Sequence, residues 1–202
     1  MAMTLGLPAN HAAADGSIKL HPIKQYCVDY THTGPMMGGT SKMCSRKFGL
    51  ESYTISKTTI SVFGITQEDN KHTIVMGKKI YNINPATMTG TVIDNPMYDV
   101  IAKKKSQDLA QGIFDAMDYR DTGVEKDIAG TKCKVFASAQ VGTACLTPKA
   151  VMLEQEVMGV GQVATRYTES ESGNDADYDL YKKAKISELP NLQEIMKKMG
   201  GG

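Results

Sequence analysis

Four cysteines carry the most specific chemistry in this sequence, because their spacing pairs them. Cys27 and Cys44 lie symmetrically about the turn-rich Gly34-Pro35-Met36-Met37-Gly38-Gly39, and Cys133 and Cys145 about Ala139-Gln140, ahead of Gly142. The flanks alternate like strands, with Tyr26, Val28 and Tyr30 in the first stretch and Val135 and Ala137 in the second. Folding each stretch into a hairpin sets its cysteines opposite one another, within the short Cα separation a disulfide needs. Two local cross-strand disulfides are therefore expected, each contributing about 3 kcal/mol in the chain-entropy picture. Such bonds persist only in an oxidising compartment. Four buried, reduced thiols are the alternative, and spacing alone does not fix the connectivity. Neither pair is Cys-x-x-Cys, which leaves a thioredoxin-type redox site or a zinc knuckle without support.

A second cluster offers metal chemistry. His32, Met36, Met37 and Met43, near Cys44, present soft ligands that suit Cu(I). Against that, methionine is a common flexible core filler, and Cys44 is already assigned to a disulfide. The histidines His11, His21, His32 and His72 show no ligand spacing relative to each other. Gly159-Val-Gly161-Gln-Val-Ala164 matches a dinucleotide fingerprint in letters only, because a strand pattern follows it where a helix N-terminus should hold the pyrophosphate. The hydrolase motif Gly-x-Ser-x-Gly, the zinc-protease motif His-Glu-x-x-His and the Walker phosphate loop do not occur. Asp175, Asp177 and Asp179 are paired carboxylates on a polar stretch, with no apolar wall to raise a pKa. A non-enzymatic protein without a cofactor is the expectation.

The elements that must position these residues are mostly strands. From Ile18 to Ile93 the dominant period is two, with β-branched residues throughout, and the turns Gly77-Lys-Lys79 and Asn84-Pro85 punctuate an antiparallel meander. At Asn95-Pro96 the period changes, and an apolar face of Met97, Val100, Ile101, Leu109, Ile113, Phe114 and Met117 predicts one long helix or two short ones over about 95–118. The Lys103-Lys104-Lys105 triplet falls on the opposite face and reads as solvated. Strands resume at Gly123 and run to Thr168, and Glu169 to Asp175 reads as a solvated hairpin tip. Ser187-Glu-Leu-Pro190 opens a predicted final helix with the stripe Leu189, Leu192, Ile195, Met196 and Met199, ended by Gly200.

The chain has 202 residues, with 23 Lys plus Arg against 22 Asp plus Glu for a net charge of +1, so no global field points to a nucleic-acid partner. No run approaches the roughly 18 apolar residues of a membrane-spanning helix. Thirteen Met and no Trp suit an adaptable apolar lining better than an aromatic sugar or cofactor site. Met1 to Ala14 ends in Ala12-x-Ala14, the pattern a signal peptidase cuts, although no Lys or Arg precedes the apolar run. It reads as the back half of a secretory signal, with an unstructured arm of a cytosolic protein as the alternative. The organisation expected is a signal remnant over 1–14, one domain over 15–199 and a flexible tail over 200–202.

Tyr26 to Tyr30, Gly77-Lys-Lys-Ile-Tyr-Asn-Ile-Asn-Pro85, Ile128-Ala-Gly-Thr-Lys-Cys133, Leu153 to Val163 and Leu189-Pro-Asn-Leu-Gln-Glu-Ile-Met196 together resemble a group of bacterial envelope proteins of unassigned function. That group is similar in turn to the periplasmic lipoprotein carriers of the Lol system. The resemblance implies an α+β, mostly β fold: a curved antiparallel half-barrel with helices plugging its open side and an amphipathic C-terminal helix. It also implies a periplasmic or extracellular protein that binds acyl chains or another hydrophobic ligand without catalysis. No ligand-contacting residue can be carried over from it. Two other readings stand beside this one: a structural or self-assembling subunit of the envelope or an extracellular polymer, joined through edge strands, and a periplasmic copper binder.

Overall fold

The computed structural model describes residues 19–35, 37–62, 65–96, 98 and 118–188. The period-two segments form strands: β1 (Tyr26–Thr33), β2 (Met37–Arg46), β3 (Glu51–Val62), β4 (Ile65–Met76), β5 (Lys79–Asn84) and β6 (Thr89–Asp94). Later in the chain come β7 (Arg120–Ile128), β8 (Thr131–Ser138), β9 (Gly142–Leu146), β10 (Met152–Val157) and β11 (Val160–Thr168), and β12 (Lys185–Glu188) closes the described chain.

All of them join one 12-stranded sheet in the order β12-β6-β5-β4-β3-β2-β1-β11-β10-β9-β8-β7. Two meanders are thus zipped together where β11 pairs antiparallel with β1. The second meander curls until β7 comes back beside β11.

Alternation along β1 splits the core in two, because successive side chains point to opposite faces. Tyr26, Val28 and Tyr30 join Ile128, Cys133, Val135, Cys145, Val151, Leu153 and Ala164 in a first cluster. Cys27 goes the other way and joins Cys44, Tyr53, Ile74, Ile83 and Tyr178 in a second. The register explains the second cluster: Cys27 faces Cys44, Cys44 faces Tyr53, Tyr53 faces Ile74 and Ile74 faces Tyr81, an unbroken cross-strand row.

Residues 169–184 form a strap that leaves β11, crosses the second cluster and delivers β12 to the far edge. The stretch expected to be a solvated tip is tied down along its length. Lys149 Nζ donates to Glu169 at 2.5 Å, Gln25 Nε2 to the Ser170 carbonyl at 2.7 Å, and Arg166 clasps Glu171. Asn174 caps the short helix α1 (Asp175–Tyr178) by accepting from the Ala176 N–H at 3.1 Å.

Among the described residues the helical structure is limited to α1, a 3-10 turn, Leu180–Lys182, and Pro96 and Tyr98, which are helical where the helix expected from Asn95-Pro96 begins. The expected α+β half-barrel with helices plugging its open side is therefore corrected to an open, nearly all-β sheet. Ser187 and Glu188, expected to open the final amphipathic helix, lie in β12 instead. There the Lys185 N–H donates to the Met88 carbonyl at 2.8 Å, and Ile186 packs on the second cluster. Parallel pairing with β6 outweighs the local helix signal. The rest of that expected helix and nearly all of the one expected over 95–118 lie outside the described residues, as do the signal remnant over 1–14 and the tail over 200–202.

The edge strand β7 carries a register break between Asp121 and Glu125 and a row of exposed charged side chains. These are devices that discourage edge-to-edge pairing. No helix among the described residues is long and apolar enough to cross a membrane.

Candidate functional site

The candidate site lies where the β1–β2 and β10–β11 hairpins end side by side. Thr33 faces Gly161 across β1 and β11, and Gly34 packs so closely on the next turn that a Cβ there would sit 3.3 Å from the Gly159 carbonyl. Around this junction a cleft of about 360 Å³ is lined by His32, Met37, Gln155, Val157, Val160, Gly161 and Gln162. Its volume falls within the range of small-molecule sites.

The ladder places each of these side chains. His32 faces Gly39 on one side and Gln162 on the other, Gln162 faces Gln155, and Val160 faces Val157. His32 Nε2 lies 2.8 Å from Ser41 Oγ. Burial holds the His32 imidazole below its ordinary range, so the ring is neutral near pH 7. None of the lining side chains then carries a formal charge. Two carboxamides and one imidazole can exchange hydrogen bonds, while Met37, Val157 and Val160 offer apolar surface. Chemically, that suits a chain-like apolar group with a small polar end.

The copper cluster is not assembled by the described residues. His32 and Met37 share the cleft, but Met43 sits opposite Val28, four residues down β1 from His32, and packs on the first core cluster. Met36 lies outside the described residues. No group of three or more His, Cys, Asp or Glu side chains able to hold a metal occurs among the described residues. The dinucleotide-like glycines form the β10–β11 turn and enter strand β11.

The structure joins the cysteines as Cys27–Cys44 and Cys133–Cys145, with Cα separations of 4.1 and 5.4 Å. The first pair is directly opposed. The second is diagonal, since Val135 rather than Cys133 faces Cys145. The three aspartates are structural here. Asp175 pairs with Arg46 and Asp179 with Lys182, while Asp177 lies in α1.

Sequence reading misses the strap and what lies beneath it. The Tyr178 ring meets Tyr53 edge-on with centroids 4.8 Å apart, Arg46 lies over its face at 3.8 Å, and Tyr81 stacks on Tyr181 at 4.4 Å. Glu51 anchors the same corner. Burial alone would raise its pKa, but hydrogen bonds from Lys47 and Arg46 outweigh that and hold the carboxylate low. Burial also pushes the Tyr26 phenol up to about 12, so it stays protonated at neutral pH.

His72 lies beneath α1, only 4% exposed, edge-on to Tyr53 and with its Nε2 lacking a hydrogen-bond partner. Burial lowers its pKa, against the raising effect of Asp177, and burial also lowers that of His21. A histidine with a lowered folded pKa binds fewer protons folded than unfolded, so stability is lost as pH falls below about 6.5 toward the folded value. Melting temperature is accordingly expected to hold above pH 7 and to drop between about pH 6.5 and 5. His72→Phe should flatten part of that drop in a pH series of thermal melts. An equally steep drop in the variant would place the proton-linked change elsewhere.

No protein-family model matches this chain, and no curated protein matches it in sequence. Among solved structures it is similar to an uncharacterized conserved protein from Thermus thermophilus, with TM-score 0.52 at 9% identity, over 83% of this chain and 92% of that one. That likeness shows a shared fold. Two structures of MucB bound to MucA align more loosely. One, described as MucB in complex with MucA(peri), has TM-score 0.42 at 11% identity over 75% of this chain and 52% of the other. The second, from Pseudomonas aeruginosa, has TM-score 0.49 at 10% identity over 82% and 58%. This chain spans little more than half the length of those two.

Proposed function

We propose that this is a non-enzymatic binding protein of an oxidising compartment, periplasmic or extracellular, that holds a hydrophobic, acyl-chain-like ligand in the hairpin-end cleft. The observation that carries the reading is the cleft itself: an uncharged hollow of about 360 Å³ with an apolar wall of Met37, Val157 and Val160 and polar groups only from His32, Gln155 and Gln162. The two disulfides support the compartment, because thiols stay reduced in the cytosol. The sequence resemblance to the lipoprotein carriers supports the ligand class.

Titration with the fluorescent probe N-phenyl-1-naphthylamine, followed by displacement with lauric acid, tests the site. Wild type is expected to bind and release the probe. Val157→Trp, which fills the cleft, is expected to weaken binding about tenfold, a change of roughly 1.4 kcal/mol. Absence of binding by wild type, or equal binding by the variant, would remove the cleft from consideration.

A further inference from the structure

The hairpins of this sheet divide its turns between two ends, and the two ends differ in charge. Strands β1, β3, β8 and β10 end, and β2, β4, β9 and β11 begin, at one end, as the register requires: Thr33 faces Gly161, Met37 faces Ile60 and Glu156 faces Thr143. The sequence through these turns, Thr33–Gly39, Ile60–Gln67, Ser138–Gly142 and Val157–Gly161, contains no acidic or basic residue. The nearest charges are set back: Glu156, Glu68, and an Asp118–Arg120 ion pair beside the start of β7. At the opposite end the turns carry Lys47, Lys78 and Lys149, and Lys132 follows the β7–β8 turn.

The uncharged end also exposes apolar side chains. Met158 is 91% exposed and Ile65 is 73% exposed, with Ile60 and Val160 partly bared beside them. Met158 holds a φ of 52°, in the left-handed region that Asn, Asp or Gly occupy with less strain, so this turn keeps an apolar side chain in water at a conformational cost. Neither Met158 nor Ile65 contributes to the core clusters or to the cleft lining.

We infer that this hairpin-tip end docks on a lipid surface of electrically neutral headgroups, with Met158 and Ile65 entering the interface. Apolar side chains on separate protruding turns can each reach the boundary between headgroups and acyl chains, and burying them there removes them from water. A protein partner would have to interdigitate with several separate turns that themselves carry no charge, with Glu156 at their margin. The charged opposite end would remain in solvent.

Flotation with phosphatidylcholine vesicles tests the inference. The full chain is expected to float with the vesicles at low and at high salt alike, since no counterion is released. A Met158→Asp, Ile65→Asp double variant is expected to float about tenfold less, because each carboxylate must stay hydrated, yet to keep its melting temperature and its naphthylamine binding. Lys78→Glu with Lys149→Glu, at the other end, should float like wild type. The inference is overturned if wild type stays with the unbound protein, if it floats only with phosphatidylglycerol vesicles and is released by salt, or if the aspartate variant floats as well as wild type. Sedimentation showing a dimer that the same aspartates dissolve, without flotation, would assign the end to a second copy of the chain instead. The aspartate variant leaves every cleft-lining residue in place, so loss of flotation with intact naphthylamine binding separates failure of the docking end from failure of the cleft.

Discussion

Replacing Tyr178 with alanine is expected to destabilise the protein by about 3–5 kcal/mol, the range for truncating a large buried aromatic. Tyr178 is fully buried, and its hydroxyl donates to the Ser172 carbonyl at 2.8 Å. Its ring is also the surface on which Tyr53 and Arg46 pack. Truncation therefore opens a cavity and removes the anchor of the strap together. For a chain of this size the loss corresponds to a fall in melting temperature of roughly 10 °C. Tyr178→Phe keeps the packing and should lose only about 1 kcal/mol, the value of one hydrogen bond.

Gly173 gives an independent route to the same undocking. Its φ is +77°, and a Cβ there would lie 2.6 Å from the Tyr53 hydroxyl and 2.9 Å from Cys44 Cβ, so Gly173→Val cannot be seated without displacing the strap. Urea denaturation gives the magnitude, and limited proteolysis between Glu169 and Asp175 reports the undocking. A loss below about 1 kcal/mol for Tyr178→Ala would mean that the strap does not hold the sheet in solution.

The second large effect is expected from the disulfides. They close loops with sequence separations of 17 and 12 residues. In the chain-entropy model each contributes about 3 kcal/mol, so removing both costs about 6 kcal/mol, comparable to the whole stability of many domains. The Cys27→Ala, Cys44→Ala and the Cys133→Ala, Cys145→Ala proteins should each fold with a lowered denaturation midpoint, and the fourfold variant should populate unfolded chain at physiological temperature. Each disulfide lies within one core cluster, so each double variant should loosen mainly its own half of the sheet, visible as regional loss of hydrogen-exchange protection. Non-reducing peptide mapping checks the pairing directly. Free thiols in the oxidised protein would overturn both the pairing and the compartment assignment.

The first meander is legible in the sequence because its strands obey a single local rule. Tyr53, Ile55, Ile74, Tyr81 and Ile83 recur at period two, between turn residues such as Gly77 and Asn84-Pro85. The strap is not legible, because polarity suggests solvent where the acidic residues instead find partners far away in sequence, as Asp175 does in Arg46 and Glu169 in Lys149. The start of the final helix is misread at Ser187 for a related reason. Ser followed by Glu is a helix-start signal, but these residues lie beside β6, whose unpaired backbone is satisfied by another strand. The cleft is hidden for the same reason, apart from the nearness of His32 and Met37, because Gln155, Val157, Val160 and Gln162 reach it from a hairpin more than a hundred residues later.

Strand periodicity, the placing of the cysteines close enough to pair across local hairpins, and the lack of charge in the stretches Thr33–Gly39, Ile60–Gln67, Ser138–Gly142 and Val157–Gly161 are local properties of the sequence. Each of these depends on residues within a few positions of one another, where the alternation of side chains and the chemistry of turns decide the outcome. The joining of two meanders through β1 and β11 into one 12-stranded sheet, the polar strap over the Cys27–Cys44 disulfide, and the meeting of distant hairpin ends beside a cleft arise from the tertiary fold. Those outcomes depend on which distant surfaces meet, and pairing between distant strands is set by the burial and hydrogen bonding of the whole sheet rather than by any local preference.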